Sequence, residues 1–231
     1  MGRFIAPAKR QTIDTPIDVI LLSAGQGRRI KSFGSKSLFN VGGKSLIEHQ
    51  VEIISSTMPH ADVIAVLGYE LDRIYKVVPN SVRVVENTEY ESSTSTKSAM
   101  IGIRACAKND VLIINGDIWF NNKALEIVCG ETSVLADEER QITDDKIGLA
   151  TDRGYVSNFG FGMELMWGQM IYLHSGDIDL FSKICYDNKQ EVIISEVFNT
   201  MISKGCEIKC VTPNKYKIVE IDTVRDLERI K

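Results

Sequence analysis

The stretch Ile17-Asp18-Val19-Ile20-Leu21-Leu22-Ser23-Ala24-Gly25-Gln26-Gly27 decides the class of fold. Its apolar run is rich in β-branched residues, too short for a helix, and breaks into a Gly-x-Gly pair. This reads as a buried strand feeding a glycine loop, and a strand buried on both faces implies parallel neighbours. Two glycines after such a strand let backbone N–H groups point at phosphate oxygens, because no Cβ blocks the approach. Arg28, Arg29 and, further on, Lys36 would add positive charge to the same loop. A plain surface turn with solvated cations would give the same local sequence. Familiar phosphate motifs do not fit: a dinucleotide fingerprint would need glycine where Ile30 stands, and Gly43-Lys44-Ser45 lacks the leading Walker glycine, since position 38 is Leu38.

Outward from this loop, short apolar strands alternate with helical periodicity. Ser45-Leu46-Ile47-Glu48 fits a capping box, with Ile47, Val51 and Ile54 behind it on one helical stripe. Strands are predicted over 61–67, 82–86 and 110–114, and helices over 70–78 and 94–107. Alternation of this kind predicts parallel pairing with helices on both faces of a sheet. Between Thr132 and Leu173 the chain changes to aromatics, glycines and charges, which points to antiparallel strands and loops. Helices return over 177–186 and 192–203, and the chain closes with a strand over 217–221 and a helix over 224–230. No linker or repeat divides it, so residues 1–16 read as a polar leader and 17–231 as one domain.

With 44% hydrophobic and 25% charged residues, a disordered or coiled-coil chain is excluded. A net charge of −4 gives no overall positive field to attract nucleic acid or anionic lipid. Five cysteines, an odd count without C-x-x-C spacing, suit a reducing compartment. Cys206 and Cys210, an even number of residues apart, read as core thiols on one face of a strand. The first sixteen residues hold no apolar signal run, and the expected location is the cytoplasm, with no membrane contact.

Two strand ends carry acids. Asn115-Gly116-Asp117 follows the strand over 110–114, and in open α/β sheets ligands bind at the carboxyl ends of strands, so Asp117 would face the crevice of the glycine loop. Asp222, in Glu220-Ile221-Asp222-Thr223, stands just outside a helix that Thr223 and Asp226 would cap. A pair of carboxylates at strand ends could hold a divalent cation against phosphate, although each alone is an ordinary turn acid.

Taken together, the strand leading into Ala24-Gly25-Gln26-Gly27-Arg28-Arg29, then Lys36, the strand-end Asp117 and the late Glu220-Ile221-Asp222 resemble the nucleotidyltransferases of GT-A-like fold. Ile47-Glu48-His49-Gln50, Gly68-Tyr69, Asn87-Thr88-Glu89-Tyr90 and Ile218-Val219-Glu220-Ile221-Asp222 look most like phosphocholine cytidylyltransferase-like members, with sugar-1-phosphate nucleotidyltransferases next. The resemblance implies a single-domain, Rossmann-like, mostly parallel sheet with helices on both faces and an antiparallel subsheet on the acceptor side. It implies that Leu22, Ser23, Ala24, Gly25, Gln26, Gly27, Ser93, Thr94 and Ser98 bind the nucleotide, that Arg29 and Lys36 contact phosphates, and that Asp117 and Asp222 hold Mg²⁺. The expected substrates are a nucleoside triphosphate, CTP foremost, and a phosphorylated small molecule. Glu164, Trp167 and Tyr172 fall where an acceptor pocket would form, although aromatics at such spacing more often belong to a core. Two alternatives remain open at this stage. A catalytically silent subunit of the same fold would normally have lost the lysine or an acid, and a glycosyltransferase would want Asp-x-Asp at the strand end.

Overall fold

A computed structural model describes residues 16–26, 34–107, 109–138, 144–188 and 192–230. Strand β1 (Ile17–Ser23) forms where the opening apolar run predicts it and lies between two parallel neighbours, β4 (Asp62–Leu67) and β6 (Asp110–Asn115). A fourth parallel strand, β5 (Arg83–Glu86), flanks β4. Alternation along β1 serves two cores, since Val19 and Leu21 enter one and Ile20 the other.

Helix α1 (Leu46–Thr57) puts Ile47, Val51 and Ile54 into the first core. Its capping box is formed, with Glu48 accepting from both the Ser45 N–H (2.8 Å) and the Ser45 hydroxyl (2.5 Å). The hairpin before it, β2 (Asn40–Val41) and β3 (Lys44–Ser45), turns through Gly42 and Gly43 at φ of 58° and 99°, which explains the glycine pair without any phosphate loop. Helix α2 (Leu71–Tyr75) is shorter than the 70–78 its pattern predicts, and the chain leaves it through turns in which the Val77 and Val78 N–H groups donate to the Ile74 carbonyl. On the opposite face, α3 (Ser95–Ala105) lies so close to β1 that a Cβ at Gly102 would come within 2.6 Å of Ile20 Cγ2.

The second half is largely antiparallel. Strand β11 (Leu165–Leu173) pairs with β6 through Met170–Leu173, with β8 (Ser133–Asp137), and through its first two residues with β9 (Ile147–Asp152). Strand β10 (Tyr155–Phe161) continues the ladder from β9 to β12 (Lys209–Val211), which returns parallel to β8. The order is β5-β4-β1-β6-β11-β8-β12-β10-β9, and the added β11–β9 pairing closes the last five strands into a ring. Helices α4 (Ser175–Asp187) and α5 (Ile194–Ser203) cover this half, and α5 buries the predicted stripe of Ile194, Val197, Phe198 and Met201.

Two local expectations are corrected, on the last helix and on the pair of cysteines. The strand at the carboxyl end, β13 (Ile218–Glu220), leaves the main sheet and pairs with β7 (Ile118–Phe120), and residues Val224–Ile230 wind as 3₁₀ rather than α. There the Asp226 carboxylate gathers the N–H groups of Asp222 and Thr223 and the Thr223 hydroxyl. Cys206 precedes β12 and so shares no strand with Cys210, though both pack partly against the second core.

Candidate active site

Two cavities open side by side at the carboxyl ends of the parallel strands. The first, of about 200 Å³, is walled by Leu22–Gly25 from the end of β1, Ser35–Ser37, Asn87, Tyr90, Ser93–Ser95, Ser98 and Asn115–Asp117. The second, of about 370 Å³, lies toward the antiparallel half and is lined by Asp145, Lys146, Ile147, Phe161, Met166, Trp167, Gln169, Ile193, Ile194 and Glu220. Ser95 and Asn115 line both, so the two spaces meet there.

Strand pairing brings the acids together. In the antiparallel β7–β13 ladder Glu220 faces Ile118, and the Ile221 N–H donates to the Asp117 carbonyl at 2.8 Å, which sets Asp117 beside Glu220 and Asp222. One carboxylate oxygen from each of these three lies within 4.8 Å of the others. Gln50 of α1 braces the turn that carries Asp117 by donating to the Ile118 carbonyl (2.8 Å) and the Asn115 carbonyl (3.3 Å). Gly116 is required in that turn, since a Cβ would sit 2.6 Å from the Leu22 carbonyl oxygen and closer still to Ser23 Oγ.

Two lysines pair with the acids. Lys36 Nζ lies 3.0 Å from Asp117 Oδ2 and 2.8 Å from Asp222 Oδ1, and Lys146 Nζ lies 2.6 Å from Glu220 Oε1 and bonds Asp222 Oδ2 as well. The Lys36 segment is fixed from outside, where the Ser35 N–H donates to Glu70 Oε2 at 2.6 Å. Burial alone would lower both lysine pKa values, but Asp117 and Asp222 around Lys36, and Asp222 and Glu220 around Lys146, more than reverse this and raise them. Asp222 is pulled the opposite way to its burial, because hydrogen bonds from Lys146 and Lys36 hold its carboxyl well below the usual range. Burial and the nearby Glu220 and Asp222 push Asp117 up against the pull of Lys36. Three hard oxygen donors in one cluster fit a Mg²⁺-like cation in number and type.

Of the other residues singled out in the sequence, Leu22, Ser23, Ala24, Gly25, Ser93, Thr94 and Ser98 all border the first cavity. Ser23 Oγ is buried there without a hydrogen-bond partner among the described residues, whereas the Thr94 hydroxyl donates to the Val192 carbonyl at 2.9 Å. Gln26 is not part of the wall, and Gly27 and Arg29 lie outside the described residues. Trp167 borders the second cavity but is only 5% exposed, with its ring edge-on to Phe159 and Phe198 and its indole N–H donating to the Met170 carbonyl. Two residues expected on the acceptor side stand away from both cavities. Tyr172 is buried, with its hydroxyl 2.6 Å from Asp110 at the amino end of β6, the wrong end of the strand for the site. Glu164 is exposed just before β11 and lines neither cavity.

Sequence reading overlooked Lys146 and Gln169, quoted Asn87 in a motif without giving it a role, and left Glu220 open. Glu220 had a signal, since residues two apart in an extended segment share a face and Glu220 and Asp222 are so spaced. Lys146 had none, because it follows Asp144-Asp145 in what looks like a solvated charge cluster.

The comparisons agree with this geometry. Among curated relatives, the bifunctional protein GlmU of Koribacter versatilis is 29% identical over 109 residues, 46% of this chain and 23% of that one. The chain thus spans about a quarter of the length of such relatives. The fold of the CTP:phosphocholine cytidylyltransferase from Streptococcus pneumoniae superposes with a TM-score of 0.71 at 19% identity, covering 93% of this chain and 97% of that one. The inositol-1-phosphate CTP transferase from T. maritima superposes at 0.70 with 14% identity, over 90% of each chain. The model of the MobA-like NTP transferase domain matches residues 19–135, just over half of the chain, and the chain belongs to that family.

Proposed function

We propose that the protein transfers a nucleoside monophosphate from a nucleoside triphosphate to a phosphorylated small molecule and releases pyrophosphate. The observation that carries this reading is the meeting of Lys36, Asp117, Glu220 and Asp222 between two cavities, one beside the glycine-ended strand and one beside the antiparallel half. In this reading the triphosphate occupies the first cavity and the acceptor the second.

A phosphate monoester is already anionic near neutral pH, so its oxygen needs no general base to attack the α-phosphorus. The new P–O bond forms as the bond to the β-phosphate oxygen breaks, and pyrophosphate leaves with the electron pair. The protein's part is alignment and charge stabilisation. Lys36 is the described cation nearest the acids on the nucleotide side, and Arg29 is proposed to add to it from the glycine loop. Asp117 and Asp222, joined by Glu220, are proposed to hold a divalent cation, which when bound would neutralise charge on the transferring group.

CTP is the favoured donor. Asn87 Oδ1 accepts from the Glu89 N–H at 3.1 Å, which turns Asn87 Nδ2 toward Ser93 Oγ and Ser98 Oγ, each at 3.0 Å. Each serine oxygen accepts from Asn87 and keeps a hydroxyl hydrogen that can be donated to a ligand. Cytosine presents two adjacent acceptors, N3 and O2, to such a pair, whereas uracil and thymine carry an N–H at position 3. The test is incubation with each NTP, Mg²⁺ and a panel of phosphorylated alcohols and sugars, following pyrophosphate. Release with CTP and a phospho-alcohol is expected, and no release with any pairing would refute the reading.

A further inference from the structure

The turn that follows β4 holds both flanks of the segment running from the glycine pair to Lys36. The Tyr69 N–H donates to the Ala24 carbonyl at 3.0 Å, and the Glu70 carboxylate accepts from the Ser35 N–H at 2.6 Å. The second contact thus sits one peptide from the cation that bridges Asp117 and Asp222. Ser35 is only 2% exposed and precedes the 3₁₀ turn Lys36–Leu38, whose hydrogen bonds use the Ser35 and Lys36 carbonyls and leave the Ser35 N–H outside the turn. A donor so buried needs an acceptor from the protein.

Two departures of the backbone make room for this contact. Glu70 is left-handed, with φ of 55° and ψ of 30°, a conformation that glycine or asparagine takes at less cost. Gly34 has φ of 81°, and a Cβ there would stand 2.7 Å from Glu70 Oε2. Strain of this kind persists where the surroundings hold the residue in place. The two carboxylate oxygens are divided, Oε2 to the Ser35 N–H and Oε1 to Arg73, so the acceptor is charged and is steadied from its outer side. The Ser35 N–H is also the main reason the Glu70 carboxyl lies below its ordinary pKa.

We propose that Glu70 is a positioning residue for Lys36: by anchoring the Ser35 backbone it fixes the root of the lysine, so that the ammonium rests between Asp117 and Asp222 at the wall of the first cavity. A lysine is a point charge on a flexible stem, and where the charge rests depends on where the stem begins. Without the acceptor the buried N–H is unpaired, and the segment relieves this by moving toward water and taking Lys36 with it. The consequence for turnover rests on the nucleotidyl-transfer reading.

The test compares Glu70→Gly and Glu70→Gln with the wild type in the full chain. Glycine suits the left-handed backbone and removes only the carboxylate, whereas glutamine keeps an acceptor oxygen at the same reach and gives up the pairing with the exposed Arg73, which is worth little. Far-UV circular dichroism checks folding, and Glu70→Asn, tolerant of the same backbone and one methylene too short, stands in should the glycine variant misfold. Brief acetylation with acetic anhydride, read by mass spectrometry, compares half-buried Lys36 with exposed Lys204. Lys36 is expected to acetylate about tenfold faster in Glu70→Gly, the worth of one hydrogen bond to a charged group, and close to the wild-type rate in Glu70→Gln. Pyrophosphate release is expected to show kcat about tenfold lower in Glu70→Gly with the acceptor KM in place, and glutamine restoring most of it. A residue that merely supports the fold would leave Lys36 masked in a folded variant. Equal acetylation of Lys36 in the folded glycine variant and the wild type overturns the positioning, as does a glutamine variant no better than the glycine one, or a glycine variant that unmasks Lys36 yet turns over like the wild type. Should Glu70→Gly unmask Lys36 and glutamine mask it again while no NTP yields pyrophosphate, the positioning stands and the transfer reading fails. Should the wild type turn over while Lys36 is indifferent to Glu70, the positioning alone fails.

Discussion

Lys36 concentrates the chemistry of the site in one side chain. It bridges two acids from distant parts of the chain and faces the first cavity, so its removal takes a positive charge away from both. Lys36→Ala is expected to lower turnover on the order of 10²-fold or more, as for other electrostatic stabilisers, with a smaller change in the KM for the acceptor, measured by pyrophosphate release. Ser98→Ala removes one oriented donor and should raise the KM for CTP about five- to tenfold, the worth of one hydrogen bond, while leaving the acceptor KM in place. Asp117 and Asp222 were legible in the sequence because strand ends mark where ligands bind, and Lys36 because it follows the glycine loop as a further cation. Lys146 and Asn87 were not, because their importance comes from partners 74 to 76 and 6 to 11 positions away that only the folded register supplies. Tyr172 misled for a related reason, since alternation says which face of a strand a residue takes but not which end of the sheet it stands at.

At the scale of elements, the N-terminus of α1 offers a measurable case. Hydrogen bonds from the Ser45 hydroxyl and N–H hold the Glu48 carboxyl below its ordinary pKa. A depressed carboxylate stabilises the fold above the unfolded-state pKa, and that stability drains away as pH falls through the folded-state value. Glu48→Gln should therefore shift the thermal midpoint at pH 7 downward while flattening its decline on acidification, and Ser45→Ala should cost about 1 kcal/mol in denaturant titration. Gly102→Ala should be more harmful, about 1–3 kcal/mol, because the new methyl would press on Ile20 where α3 meets β1. Elements with strong period, β1, α1, α3 and α5, stood out in the sequence. Strands β9 and β10 did not, since their half-exposed faces mix Gly148, Thr151, Ser157 and Asn158 with apolar residues and blur the alternation. Strand β13 was legible as a strand but not as a partner of β7, although that pairing is what brings the acids together.

For the whole molecule, the two cavities make stability depend on ligand. A triphosphate with Mg²⁺ at 100 times its dissociation constant should stabilise the fold by about 2.7 kcal/mol. For a chain of this size that is a rise of about 5–10 °C in the melting midpoint. A chelator should reduce this rise if the acids share a cation with the phosphates. Parallel pairing of the first half followed from the alternation of strands and helices, but closure of the second half into a ring could not, because it depends on the first residues of β11 reaching β9. That strand is also the seam of the molecule. The family-matched portion stops within β8, and β6 finds its second neighbour, and β8 both of its own, only in what comes later. A fragment truncated after Glu138 would carry every residue of the nucleotide wall and still bare the unzipped flank of β6, so it should self-associate edge to edge and scatter light instead of persisting as a smaller working enzyme.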